Sequence, residues 1–205
     1  IITITNSLFS NNFTDLPGTA DGSGGAINFN QKAQVTIANS TFDSNRAEGV
    51  SYGANGGALV IINNTTQFQI INSTITDNFA GWAGGGIAAS NGILRNTIIA
   101  YNTADNGTND WDILQQCAGE LVDGGNNLQY PPRNSNPNYY NEITCFAGKS
   151  AIAQMGLPDF QNPLLDSLAD NGGPTQTRSP QSNSPAIDYG NDTVCAGAYV
   201  NNVDQ

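Results

Sequence analysis

The chain has 205 residues and a formal net charge of −11, with six Lys plus Arg against 17 Asp plus Glu. It lacks the cations that nucleic acid or an anionic membrane surface requires, which leaves cations such as Ca²⁺, or neutral glycans, as the fitting ligands. It contains no His, which excludes a Ser-His-Asp triad, His-ligated zinc and imidazole acid–base catalysis within these residues.

In chain order, the first element is the strand-like run Ile2-Thr3-Ile4-Thr5, followed by Asn6, a second short run through Phe9, and Asn12. The same outline returns from Val35, from Phe68 and, shortened, from Ile93. Asn6, Asn39, Asn72 and Asn96 are 33, 33 and 24 residues apart, and each is followed six residues later by Asn12, Asn45, Asn78 or Asn102. A Gly-Gly-led strand recurs in phase: Gly24-Gly25-Ala26-Ile27, Gly56-Gly57-Ala58-Leu59, and Gly85-Gly86-Ile87. Such strands are too short to be stable alone, so successive units must stack.

The physical reading is a three-sided coil, an all-β, right-handed parallel β-helix with a loop-rich C-terminal cap. Val35 and Ile37 alternate with Thr36 and Ala38, the period-2 pattern of a strand with one buried face. Asn39 sits where the chain must bend, and Asn tolerates the left-handed backbone region. Stacking sets Asn6, Asn39, Asn72 and Asn96 above one another at about 4.8 Å, where their amides can bond as a ladder. Phe9, Phe42, Ile75 and Ile99 form an inward column. The first residue already lies inside a repeat, so the expectation is a chain incomplete at both ends.

Insertions between the second Asn and the Gly-Gly pair cover Phe13 to Ser23, Arg46 to Asn55 and Phe79 to Ala83. Solenoid insertions collect on one face, often the binding face. Phe13, Tyr52, Trp82 and Trp111 follow the second Asn of successive units, so their rings are placed either as a platform for sugars or a partner, or folded back over the coil. Asp105, Asp110 and Asp112, with Asp123 further on, offer the oxygen donors Ca²⁺ takes, without EF-hand or nonapeptide order. A solvated acidic loop is the competing account.

Residues 1–102 read as the coils. Residues 103–205 read as further coil, a long polar loop region with a strand around Gly125 to Gln129, and a cap drawn from Leu164–Leu168, the Gly172-Gly173-Pro174 turn and a Pro185-Ala186-Ile187 strand. No run approaches the roughly 20 apolar residues of a membrane-spanning helix.

The Gly-Gly-Ala-Ile and Phe9-Ser10-Asn11-Asn12 motifs, with Gly56-Gly57-Ala58-Leu59 and Phe42-Asp43-Ser44-Asn45, resemble polymorphic outer-membrane protein repeats. The run from Asn162-Pro163-Leu164-Leu165-Asp166 through Asp170-Asn171-Gly172-Gly173-Pro174-Thr175, with Ser184-Pro185-Ala186-Ile187-Asp188-Tyr189-Gly190, resembles bacterial choice-of-anchor Q domain proteins. Arg178 stands where that family usually has His. The resemblance implies a secreted or cell-surface β-helix protein whose sorting anchor follows the present residues, and it implies little about chemistry.

Cys117, Cys145 and Cys195 are an odd set. A Cys117–Cys145 bond would staple the Pro-rich excursion between them, and the resemblance implies the same pair, with Cys195 bonding beyond this sequence. Three reduced thiols are the alternative.

Function reads as a structural or adhesive module that engages envelope or matrix components or glycans without a cofactor. The second class is a polysaccharide-active enzyme, a lyase or glycoside hydrolase of the pectate-lyase-like β-helix class. Against it, outward repeat positions hold Ser, Thr, Ala and Asn with no recurring carboxylate pair, and neither Arg46 nor Arg95 has an Asp cluster beside it.

Overall fold

The computed structural model describes residues 1–14, 22–50, 52–61, 67–107, 113–131, 145–146 and 160–202. Three complete coils come first. They are β1 (Ile2–Thr5), β2 (Leu8–Ser10), β3 (Phe13–Thr14) and β4 (Ile27–Phe29); β5 (Gln34–Ala38), β6 (Thr41–Asp43), β7 (Arg46–Ala47) and β8 (Leu59–Ile61); and β9 (Gln67–Ile71), β10 (Thr74–Thr76), β11 (Phe79–Ala80) and β12 (Ile87–Ala89). A fourth coil holds β13 (Ile93–Arg95), β14 (Ile98–Ala100), β15 (Thr103–Ala104), β16 (Ile113–Leu114) and β17 (Cys117–Ala118), and a fifth begins with β18 (Val122–Asp123) and β19 (Leu128–Tyr130). Among the described residues, helix is confined to α1 (Asp192–Cys195).

Like strands of successive coils pair into four sheets, ordered β1-β5-β9-β13-β18, β2-β6-β10-β14-β19, β3-β7-β11-β15-β16 and β4-β8-β12-β17. Every pairing is parallel except β15 with β16. The chain is therefore a parallel β-helix. Its coil has four sheets where the spacing predicts three sides. The additional sheet consists of two-residue strands just after the second Asn, and two residues are too few to carry a period-2 signature.

Three corners of each coil bend through the left-handed region. The first holds Asn6, Asn39, Asn72 and Asn96, with φ between 47° and 49°. The second holds Asn11, Ser44, Asp77 and Tyr101, with φ between 54° and 59°. The third holds Gly24, Gly56 and Gly84, with φ between 64° and 69°. In the shortest copy the glycine pair is thus Gly84-Gly85, one residue upstream of the expected Gly85-Gly86, and Ile87 pairs with Leu59. The first glycine of each pair supplies the positive φ, and the second supplies space. A Cβ on Gly57 would stand 2.1 Å from the Gly85 carbonyl oxygen of the next coil.

The interior is three apolar columns converging on one core. Ile4, Ile37, Ile70 and Leu94 descend the first sheet. Phe9, Phe42, Ile75 and Ile99 descend the second, as expected, with the Phe9 and Phe42 rings stacked at 4.8 Å. Ile27, Leu59, Ile87 and Cys117 descend the fourth. Cys117 thus fills a core position, and its disulfide to Cys145 (Cα–Cα 5.3 Å) lies inside the same cluster. Phe146, paired with Leu121, and Phe160 extend that core at the fifth coil.

The loop-rich C-terminal segment lies along the side of the stack. Val200 accepts from the Asn39 amide in the second coil, Asn191 bonds Asn96 in the fourth, and Tyr189 accepts from Asn126 in the fifth. Outward-facing Ala38 and Ile71 are buried beneath Val200, Val194 and Cys195. Residues 164–180 fold back on themselves through Leu165–Pro180 and Ala169–Thr177 bridges, with Gly172-Gly173-Pro174 near the tip. Pro185-Ala186-Ile187 is a turn, where a strand is predicted, because its backbone meets no sheet edge.

Candidate ligand-binding face

Each coil turns inward at its second Asn, and the next side chain points out from the third sheet. Parallel pairing stacks Phe13, Arg46, Phe79 and Thr103 into one column. Phe13 is 70% exposed. The Arg46 guanidinium lies 4.1 Å from the centre of the Phe79 ring, and its Nε is 2.6 Å from the Glu48 carboxylate. The positive charge is thereby spread between a ring and a neighbouring anion, leaving a flat, near-neutral surface.

The insertions that follow this sheet add a second feature. Tyr52 and Trp82, from successive coils, meet with ring centroids 4.2 Å apart at an angle of 46°. Tyr52 is 79% exposed, and Trp82 is partly buried. Trp82 is anchored through its backbone, donating to the Ala54 carbonyl and accepting from the Asn106 N–H. Its indole also lies over Gly107, where a Cβ would come within 2.9 Å of the ring. The pair therefore combines one fixed ring with one projecting ring.

The four predicted aromatics divide accordingly. Tyr52 and Trp82 come together, and Phe13 stands in the strand column, because its backbone pairs with Arg46 and does not belong to the insertion. Arg46, read as a loop residue, lies in β7 for the same reason. Phe79 belongs to this face and is absent from the predicted set. The signal that identifies it is its place one residue after Asn78, matching Phe13 after Asn12.

Of the acidic set, Asp105 continues the third sheet, donating its N–H to the Ala80 carbonyl. Asp123 accepts from the Gly125 N–H and the Asn127 amide, which is turn chemistry. Asp110, Asp112 and Trp111 lie outside the described residues.

The structural asparagines form two ladders. Along the first corner, Asn39 donates to Asn6 at 3.2 Å and Asn72 donates to Asn39 at 2.8 Å. Asn96 bonds the Asn191 backbone and the Cys195 thiol. The second ladder runs inside the coil, from Asn12 through Asn45 and Asn78 to Asn102 and finally Gln116, with amide–amide distances of 2.8–2.9 Å. This interior ladder is built from the second Asn of each repeat, a position marked in the sequence only by its recurrence.

Two carboxylates do come together, on the second sheet and its corner. Arg178 bonds Asp43 at 2.5 Å and Asp77 at 3.0 Å. The two are out of phase in the repeat, since Asp43 pairs with Thr76, so no repeat position announces them. Burial pushes the Asp77 carboxyl above the usual carboxylate range, against the opposing pull of Arg178 and the Thr76 hydroxyl. With Arg178 held between both groups, the trio clasps the C-terminal segment to the coils.

No protein-family model, curated protein or solved structure matches this chain. Among the described residues, no helix is long and apolar enough to cross a membrane.

Proposed function

We propose that this chain is a secreted or cell-surface β-helix module, of the choice-of-anchor Q kind, with a structural or adhesive role. It binds neutral glycan through the third-sheet face and the loops after it. The observation that carries this reading is the exposed Tyr52 ring held against the fixed Trp82 ring, beside a sheet whose outward column contains Phe13 and Phe79. Rings held rigidly at a surface bind sugar faces at little entropic cost. The Glu48 carboxylate on Arg46 and the net charge of −11 disfavour anionic polymers. A core disulfide between Cys117 and Cys145 fits an oxidising compartment. The reading needs no cofactor.

As a glycoside hydrolase, the polysaccharide-active alternative needs a paired acid and base beside the sugar; as a lyase, it needs an Arg or Lys base beside a carboxylate-held cation. Asp43 and Asp77 are the carboxylates brought together among the described residues, and Arg178 occupies the space between them. Affinity electrophoresis in gels of neutral polysaccharide, run beside a reducing-end assay, tests the proposal. Retardation of the wild type, relieved in Tyr52→Ala and Phe13→Ala, with no new reducing ends, is the expected result. Free migration of the wild type in every neutral polysaccharide tried overturns it, and product formation moves the chain to the enzyme class.

A further inference from the structure

The outward column of the third sheet holds a polar pair between its two phenylalanines. Arg46 lies in β7 and Glu48 just beyond it, where the Glu48 N–H continues the ladder by donating to the Thr14 carbonyl. Alternation along the strand therefore points both side chains out from one face. Register sets Phe13 and Phe79 on either side of Arg46, and puts Gly81 and Asp105 at the Glu48 position of the next two coils. Gly81 has no side chain, so the coil beside Glu48 leaves the pair open.

Two contacts fix the Arg46 guanidinium. Its carbon lies 4.1 Å from the centre of the Phe79 ring, and its Nε donates to Glu48 Oε1 at 2.6 Å. Among the described residues its two Nη groups and Glu48 Oε2 make no hydrogen bond, and the side chains are 50% and 37% exposed. Donors and an acceptor thus stand side by side in a fixed geometry. Two adjacent hydroxyls of a sugar ring match them, one accepting from an Nη and its neighbour donating to Oε2. Phe13, 70% exposed on the adjoining strand, offers its ring to the C–H face of the same sugar. An arginine fork alone would take a carboxylate bidentately, and Glu48 places a like charge at that fork. Arg46 pairs with no other carboxylate among the described residues.

We infer that Arg46 and Glu48 select the sugar on this face: they take two adjacent hydroxyls of a neutral residue whose ring rests on Phe13, and the Glu48 charge turns uronic acids away. The inference rests on the glycan-binding reading above and adds to it the class of sugar and the residues that choose it.

Affinity electrophoresis of the 205-residue chain in galactomannan, linear β-1,3-glucan and polygalacturonate tests it. Backbone residues of galactomannan carry adjacent free hydroxyls, those of the β-1,3-glucan do not, and polygalacturonate adds a carboxylate. The wild type is expected to be retarded in galactomannan alone. Glu48→Gln keeps an acceptor for Nε and loses the charge. It is expected to gain retardation in polygalacturonate and to weaken in galactomannan by about two- to fivefold, the range an exposed charge pair carries. Arg46→Ala is expected to lose galactomannan and gain nothing. Glu120→Gln removes the same charge at an exposed site between the fourth and first sheets and is expected to behave as the wild type. Wild-type retardation in β-1,3-glucan as strong as in galactomannan, no gain in Glu48→Gln, or an equal gain in Glu120→Gln overturns the inference and leaves the glycan-binding reading standing. Free migration of the wild type in every neutral polysaccharide overturns that reading and the inference with it.

Discussion

Asn45 donates from Nδ2 to Asn78 Oδ1 at 2.8 Å, and the same oxygen accepts the Asn45 backbone N–H at 2.9 Å. One side chain thus satisfies both the amide and the backbone of the coil before it. Asn78 repeats the arrangement with Asn102, and its Nδ2 also reaches back to the Phe42 carbonyl at 3.0 Å. All three asparagines are buried.

Replacing Asn78 by Ala removes the acceptor for two buried donors of Asn45 at once. Each buried unsatisfied donor costs about 1–3 kcal/mol, so Asn78→Ala is expected to lose about 3 kcal/mol or more in urea denaturation. Asn39→Gly, at the first corner, keeps the left-handed conformation but loses its ladder bonds and its bond to the Val200 carbonyl, and is expected to cost about 1–2 kcal/mol. Equal costs for the two would contradict the distinction between interior and corner ladders.

At the glycine corner the effect is steric. A methyl on Gly57 would meet the Gly85 carbonyl at 2.1 Å and the Phe79 carbonyl at 2.5 Å, both backbone. Gly57→Ala therefore forces two coils apart and is expected to destabilise by about 3 kcal/mol or more, as overpacking of a rigid site does. A thermal midpoint matching the wild type would show that the coils separate freely.

The disulfide encloses a sequence separation of 28 residues, for which the chain-entropy model gives about 3–4 kcal/mol. Reduction, or the double change Cys117→Ser with Cys145→Ser, is expected to lower the denaturation midpoint accordingly. Cys195 is the free thiol of this chain. Labelling of the folded, non-reduced protein is expected to modify Cys195 alone.

Arg178 neutralises Asp43, whose side chain is only 4% exposed. Arg178→Ala leaves that charge without its cation and is expected to cost about 3 kcal/mol. Hydrogen exchange should accelerate first in residues 186–202, which the clasp holds against the coils.

Asp77 gives this clasp a pH dependence of determinate sign. Its folded pKa is raised, chiefly by burial. Its contribution to stability is therefore fully present below the ordinary carboxylate pKa and is lost as pH rises through the raised folded value. Asp77→Asn does not titrate, so the stability of the wild type relative to this variant should decline with rising pH across that window. A difference that grows with pH would refute the assignment.

The stacking of the coils is legible in the sequence because every unit solves the same local problem. A short strand and a left-handed corner recur at intervals of 33, 33 and 24 residues, with a glycine pair later in each of the first three units, and pairing at that register places Val35 on Ile2 and Phe68 on Val35. Alternation predicts which face of each strand is inward, and asparagine predicts the first corner, whereas the second, at Asn11, Ser44, Asp77 and Tyr101, has no common residue type to announce it. The two-residue strands of the third sheet escape the same reading, being shorter than one period of the pattern, and Phe79 escapes with them.

Only the tertiary structure decides what covers the outward faces. Arg178 meets Asp43 across 135 residues, and Val200 meets Asn39 across 161. These contacts occur once each, and neither Arg178 nor Val200 belongs to a repeat. A repeated contact leaves a period in the sequence, whereas a single long-range one leaves only residues that look like surface polars until the chain folds. The clasp and the burial of Ala38 both depend on such single contacts, which is why the sequence specifies the solenoid and the folded chain alone specifies where its C-terminal segment lies.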